Sequence, residues 1–138
     1  MKKKLDCIML IDDSDEDNFY HQLVLREVDI TSHIQVAESG FEALDFLAEE
    51  NQVPELIFLD INMPAMNGWD FMEEYKKLNV KQKAQITIIM LTTSLHPEDK
   101  KKSEKIPEIN GFETKPLTHE KLINILKLHF LHNKNEPS

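Results

Sequence analysis

The sequence is short of several things, and each shortage excludes a class of function. It has a single cysteine, Cys7, so it has no intrachain disulfide and no cysteine-based metal site. Cys7 lies in an apolar run and reads as a small buried hydrophobe. Basic residues are scarce: Lys and Arg total 16 against 25 Asp and Glu, a net charge of -9. That excludes the basic footprint that nonspecific nucleic-acid binding needs, and it argues equally against an anionic membrane surface. The run Lys2 to Lys4 is too short to alter this and reads as a solvated tail. No apolar segment approaches the ~20 residues of a membrane span. The residues after Lys4 have no signal-peptide cleavage pattern. Linkers, internal repeats and low-complexity segments are also missing. A cytoplasmic protein fits these absences.

What is present is 138 residues that are 41% hydrophobic and 30% charged, the composition of one globular core. The most informative stretch is Leu56-Ile57-Phe58-Leu59-Asp60-Ile61-Asn62-Met63-Pro64. Its continuous apolar run predicts a strand buried on both faces that ends in an aspartate at the sheet rim. Four further strands are predicted at Leu5 to Ile11, His33 to Ala37, Ile86 to Leu91 and Gly111 to Thr114.

Helices are predicted between and after the strands. Ser14 caps the first, with Asp15, Glu16 and Asp17 in its first turn, and Phe19, Leu23, Arg26 and Tyr20, Val24, Val28 recur at helical spacing, so it runs to about Val28. Ser39 and Glu42 form a capping box for the second, with Phe41, Leu44, Leu47 and Ala48 as its stripe. Asn67-Gly68 opens the third, whose stripe is Trp69, Met72, Tyr75 and Leu78. Pro97 starts a fourth helix that runs to Ile106, with almost no apolar face and therefore exposed and loosely held. Thr118 caps the last, with Leu122, Ile125, Leu126 and Phe130 facing inward. Strand-helix alternation of this kind predicts an α/β fold with a parallel sheet covered on both faces.

The residues at the strand ends carry the chemistry. Asp12 and Asp13 follow the first strand, Asp60 ends the third, Thr92 ends the fourth and Lys115 follows the fifth. In a parallel sheet these ends share one edge, where open α/β sheets bind ligands. Three carboxylates brought together repel, and a hard cation such as Mg²⁺ (or Mn²⁺) relieves that repulsion with oxygen ligands. Lys115 adds an ammonium and Thr92 a hydroxyl for phosphoryl oxygens. Asp60 stands alone on its strand and is the candidate nucleophile for an aspartyl phosphate.

Singly, each residue has an ordinary reading: an acidic helix start, a surface lysine, a strand-end cap. Trp69 reads as a core or semi-exposed packing residue, and His129 and His132 as solvated. Only the joint arrangement points to a site.

That arrangement resembles the receiver domain of bacterial two-component response regulators, of the single-domain, chemotaxis-regulator-like kind. The resemblance covers about Leu5 to Phe130. It is carried by Ile11-Asp12-Asp13-Ser14, Leu59-Asp60-Ile61-Asn62-Met63-Pro64, Met66-Asn67-Gly68, Leu91-Thr92 and Lys115-Pro116. It implies a (βα)5 doubly wound, flavodoxin-like sheet of order 2-1-3-4-5 in a three-layer sandwich. Residues 1–4 would be a basic tail, 5–130 the receiver and 131–138 a polar tail.

The resemblance further implies that Asp60 takes a phosphoryl group from a sensor histidine kinase or a histidine phosphotransfer protein. Asp13, Asp60 and the backbone carbonyl of Asn62 would ligate the metal, with Asp12 acting through water. Lys115, joined to Pro116 by a cis bond, would pair with the phosphoryl group. Thr92 and Phe112 would switch. Phenylalanine stands where tyrosine is frequent in the family, so no phenol hydroxyl is offered there. Thr93 replaces a smaller residue after the switch threonine and would narrow access to Asp60.

No output domain is expected beyond the last helix, so signalling would pass through protein contacts of the fourth helix, fifth strand and fifth helix. The partner would be a downstream protein, with no direct nucleic-acid or membrane binding, and the chain a monomer or homodimer. Catalysis beyond self-phosphotransfer and autodephosphorylation is not expected. Two other readings stand beside this one. The first is a receiver-like adaptor that is never phosphorylated. The second is a Mg-dependent aspartyl-phosphate phosphohydrolase, which would need an acid where Asn62 stands.

Overall fold

The computed structural model describes residues 4–49, 53–78, 83–93 and 96–131. His132, most of the polar tail and the basic run before Lys4 lie outside the described residues. Five strands form one parallel sheet of order β2-β1-β3-β4-β5: β1 (Ile8–Ile11), β2 (Ile34–Ala37), β3 (Leu56–Asp60), β4 (Thr87–Thr92) and β5 (Ile109–Thr114). The helices are α1 (Asp15–Val28), α2 (Gly40–Glu49), α3 (Gly68–Lys77), α4 (Pro97–Glu104) and α5 (His119–Leu126), the last continuing as a π-helical turn over Lys127–Leu131. Among the described residues no helix is long and apolar enough to cross a membrane.

The three central strands are buried on both faces, as their continuous apolar runs require. Successive side chains alternate between two cores. Met9, Ile11, Ile57, Leu59, Ile88 and Met90 face α2 and α3, where Leu47, Phe71, Met72 and Tyr75 meet them. Ile8, Leu10, Leu56, Phe58, Ile89 and Leu91 face α1 and α5, against Leu25, Leu122, Ile125 and Leu126. Each fully buried large side chain contributes roughly 1.5–3 kcal/mol.

Several local expectations are corrected. Strand β1 starts at Ile8, because the Asp6 backbone amide is drawn to Glu55 Oε1 at 2.8 Å and only Leu5 keeps a bridge, to Thr31. Phe19, Tyr20 and Leu23 point outward from α1; Phe19 is 64% exposed. The inward face carries Asn18, His21, Val24 and Leu25 instead. Phe41 and Ala48 on α2 are exposed, and Ala43 and Leu47 are buried. Ser39 Oγ accepts from the Glu42 amide at 3.1 Å, but the Glu42 carboxylate takes the Glu38 amide at 2.9 Å, one residue before the predicted partner.

Strand β5 begins two residues earlier than predicted. The sheet register shifts there, between Ile88 and Ile89, and Asn110 Oδ1 accepts from the Ile88 amide at 2.8 Å. Helix α4 ends at Glu104 and buries only Ser103, in line with its polar sequence. Trp69 is half-buried, and the Lys102 ammonium sits 4.7 Å from its ring centroid.

Candidate functional site

The sheet order makes β1 and β3 neighbours, with Ile11 opposite Leu59. Asp12 and Asp60 therefore leave adjacent strands on the same edge. Helix α3 fixes the end of β3. The Gly68 amide donates to Ile61 O at 2.7 Å, and a Cβ on Gly68 would stand 2.8 Å from the Asp60 carbonyl. Glycine is required there by close approach. A capping box between Asn67 and Asp70 holds that helix start. The connecting loop turns sharply: the Met66 amide donates to Pro64 O at 2.7 Å, and Ala65 takes a left-handed φ of 68°.

Asp12 is engaged on every side. Its amide donates to Ala37 O, its Oδ1 accepts from the Ser14 amide at 3.0 Å, and its carbonyl accepts from Asn18 Nδ2 at 2.8 Å. Lys115 reaches in from the end of β5. Its amide donates to Thr92 O at 2.7 Å, and the Lys115-Pro116 bond is cis. Its ammonium lies 2.7 Å from Asp12 Oδ2, 2.8 Å from Asp17 Oδ2 and 3.3 Å from Asp60 Oδ1. Asp13 is exposed at the mouth of the site. Carboxylate oxygens of Asp12, Asp13 and Asp60 lie within 4.8 Å of one another.

Electrostatics follow from this crowding. Burial, and then the Asp12 charge, push the Asp60 carboxyl up from 3.8 to about 6, although Lys115 opposes the shift. Burial works against the Lys115 ammonium, but its hydrogen bonds to Asp12 and Asp17 outweigh that, and its pKa rises. His21 is buried on α1 behind the lysine; burial and then the Lys115 charge lower its pKa. Its Nε2 accepts from the Leu117 amide at 3.3 Å, which ties α1 to the segment after Pro116.

The sequence-predicted residues thus separate into groups. Asp12, Asp13, Asp60 and Lys115 form one cluster. Thr92 is buried at the end of β4, beside the lysine's backbone. The Asn62 side chain is exposed in the loop after β3. Phe112 is half-buried opposite Met90 on β5, packed against the core on the α3 side, and with Lys100, Ser103 and Glu104 it lines a groove of about 170 Å³.

Sequence reasoning missed Asp17, Asn18 and His21. In the sequence Asp17 reads only as a helix-start acid. Their spacing along α1 was the available signal, since residues three and four apart share a helix face. His129 is half-buried rather than solvated, with Nε2 3.9 Å from where a Gly111 Cβ would stand.

The carboxylate cluster fits a hard divalent cation. Its donors are all oxygen, and the nearest ammonium is already hydrogen-bonded to Asp12 and Asp17. Burial, and then the Asp12 charge, leave Asp60 reluctant to ionise, which a cation would reverse. Oxygen-only ligation suits Mg²⁺ or Mn²⁺ and not a metal that prefers nitrogen or sulfur.

Comparison with known proteins gives a concordant result. A model of the response regulator receiver domain matches residues 8–127. The chain is similar to two-component response regulator 24 of Arabidopsis thaliana, 32% identical over 123 residues that span 88% of this chain and 83% of that one. It is 28% identical over 120 residues to the sensor histidine kinase CheAY of Helicobacter pylori, and spans only 14% of that protein's length. Among solved structures, a two-component response regulator from Cytophaga hutchinsonii matches with a TM-score of 0.84 and 32% identity, covering 99% of this chain and 100% of that one.

Proposed function

The chain belongs to the response-regulator receiver family, and we propose that it works as a phosphoacceptor switch whose acceptor is Asp60. The observation that carries this reading is the position of the Asp60 carboxylate. It lies 3.3 Å from the Lys115 ammonium, and carboxylate oxygens of Asp12, Asp13 and Asp60 come within 4.8 Å of one another. One oxygen of Asp60 attacks phosphorus, the P–N bond of a donor phosphohistidine breaks, and the electron pair leaves with the imidazole nitrogen. Lys115 balances the charge on the phosphoryl oxygens, and the Thr92 hydroxyl donates to one of them.

Asp13, Asp60 and the Asn62 carbonyl would hold Mg²⁺, with Asp12 acting through water. The cation supplies charge neutralisation between the carboxylates and the incoming phosphoryl group. The donor is a sensor histidine kinase or a histidine phosphotransfer protein in the cytoplasm. The readout is a protein contact on α4, β5 and α5, with Thr92 and Phe112 as the switching pair. Asn62 has an exposed amide where an aspartyl-phosphate hydrolase would need an acid, which supports a switch over an enzyme.

The test is incubation with acetyl phosphate and Mg²⁺, followed by intact mass measurement. One acid-stable, base-labile phosphoryl adduct is expected on the wild type and none on Asp60→Asn. A wild type that stays unmodified overturns the reading and favours an unphosphorylated adaptor.

A further inference from the structure

Lys115 is held by a carboxylate that the chemistry above does not use. Its ammonium donates to Asp12 Oδ2 at 2.7 Å and to Asp17 Oδ2 at 2.8 Å, and lies 3.3 Å from Asp60 Oδ1. An ammonium has three N–H donors, so in this state each one faces a carboxylate. Phosphorylation replaces the Asp60 contact with one to a phosphoryl oxygen, and a second phosphoryl contact to the lysine forms only if Asp12 or Asp17 gives way.

Exposure decides which. The Asp12 side chain is 6% exposed, and losing its partner would strand a buried charge. Asp17 is 39% exposed, so water can replace the lysine there. Asp17 also lies in the first turn of α1, where the helix dipole supports a carboxylate without the lysine.

We propose that Asp17 is a resting-state latch. It holds one N–H of the Lys115 ammonium, competes with the phosphoryl group for that donor, and so limits how fully Asp60 is occupied at a given donor concentration. This rests on Asp60 being the phosphoacceptor. Asp17 is a positioning residue, because it acts on the reacting group only through Lys115.

Two measurements on the full chain test it. In the first, a limiting amine-acetylating reagent is applied and labelling at Lys115 is read by peptide mass. Asp17→Asn should raise labelling at Lys115, Asp17→Ala should raise it further, and Asp17→Glu should restore protection. In the second, beryllofluoride, a stand-in for the phosphoryl group, is titrated calorimetrically with Mg²⁺ present. Asp17→Asn should tighten its binding roughly two- to fivefold, the range for one solvent-screened ion pair, and Asp17→Glu should match the wild type. Unchanged labelling, or binding equal to or weaker than wild type in Asp17→Asn, overturns the latch while leaving Asp60 as the acceptor. A wild type that takes neither beryllofluoride nor a phosphoryl group overturns the phosphoacceptor reading, and the competition for Lys115 with it.

Discussion

Burial makes the ionised form of Asp60 costly in the folded protein. Its folded pKa of about 6 lies above the ordinary 3.8, so the folded chain binds its proton more tightly than the unfolded chain does. The resulting stability is fully present below the lower value and is lost as pH rises through the higher one. At pH 7 without divalent cation, Asp60→Asn should therefore stabilise the fold by on the order of 1–3 kcal/mol. It should also remove the part of the stability decline between about pH 4 and 6 that this group causes. Urea unfolding of both proteins across that pH range checks it; a variant no more stable than wild type at pH 7 would count against the burial argument. The neighbouring polar residues have the opposite character. Asn18 and His21 are buried with partners that hold the backbone of Asp12 and Leu117. They shape the site without offering it charge.

Among the helices, α3 and α4 mark two extremes. Helix α3 buries Phe71, Met72 and Tyr75, carries a capping box, and has its last carbonyls bound by the Lys83 ammonium. Helix α4 buries Ser103 alone, has no side-chain cap at His96, and is tied to α3 by Lys102 over the Trp69 ring. Little apolar burial means a low cost of local opening. Amide hydrogen exchange should be at least tenfold faster across α4 than across the centre of α3, about 1.4 kcal/mol or more in opening free energy. Equal protection of the two would remove the case for α4 as a mobile element. Switching elements are drawn from the weakly held part of a fold, so this measurement bears on the proposed output face.

At the scale of the molecule, a net charge of -9 is accompanied, among the described residues, by a focus at Asp12, Asp13 and Asp60 where carboxylates converge under partial burial. A divalent cation that binds there and not to the unfolded chain stabilises the fold by mass action. Magnesium should raise the unfolding free energy by about 1–3 kcal/mol at concentrations ten- to a hundredfold above its dissociation constant. Asp13→Asn should largely abolish the rise. Thermal unfolding at matched ionic strength, with sodium in place of magnesium, separates site binding from general screening. A shift that survives in Asp13→Asn would place the cation elsewhere.

The sequence by itself determined the strand-helix alternation, the buried central strands, and the identity of the residues at each strand end. Those are local matters: apolar runs, capping residues, and an aspartate or lysine where a run stops. Strand order is not among them, since crossover connections of similar length permit more than one order, and the tertiary structure decided it. The inward face of α1 was also decided there. Phe19, Tyr20 and Leu23 have the hydrophobicity for the core, but the helix turns Asn18 and His21 inward because the ends of β1 and β5 offer them a carbonyl and an amide. The pairing of Lys115 with Asp17 spans 98 residues of sequence. No periodicity encodes such a contact, because it arises only when α1 and the end of β5 pack against the same edge of one sheet.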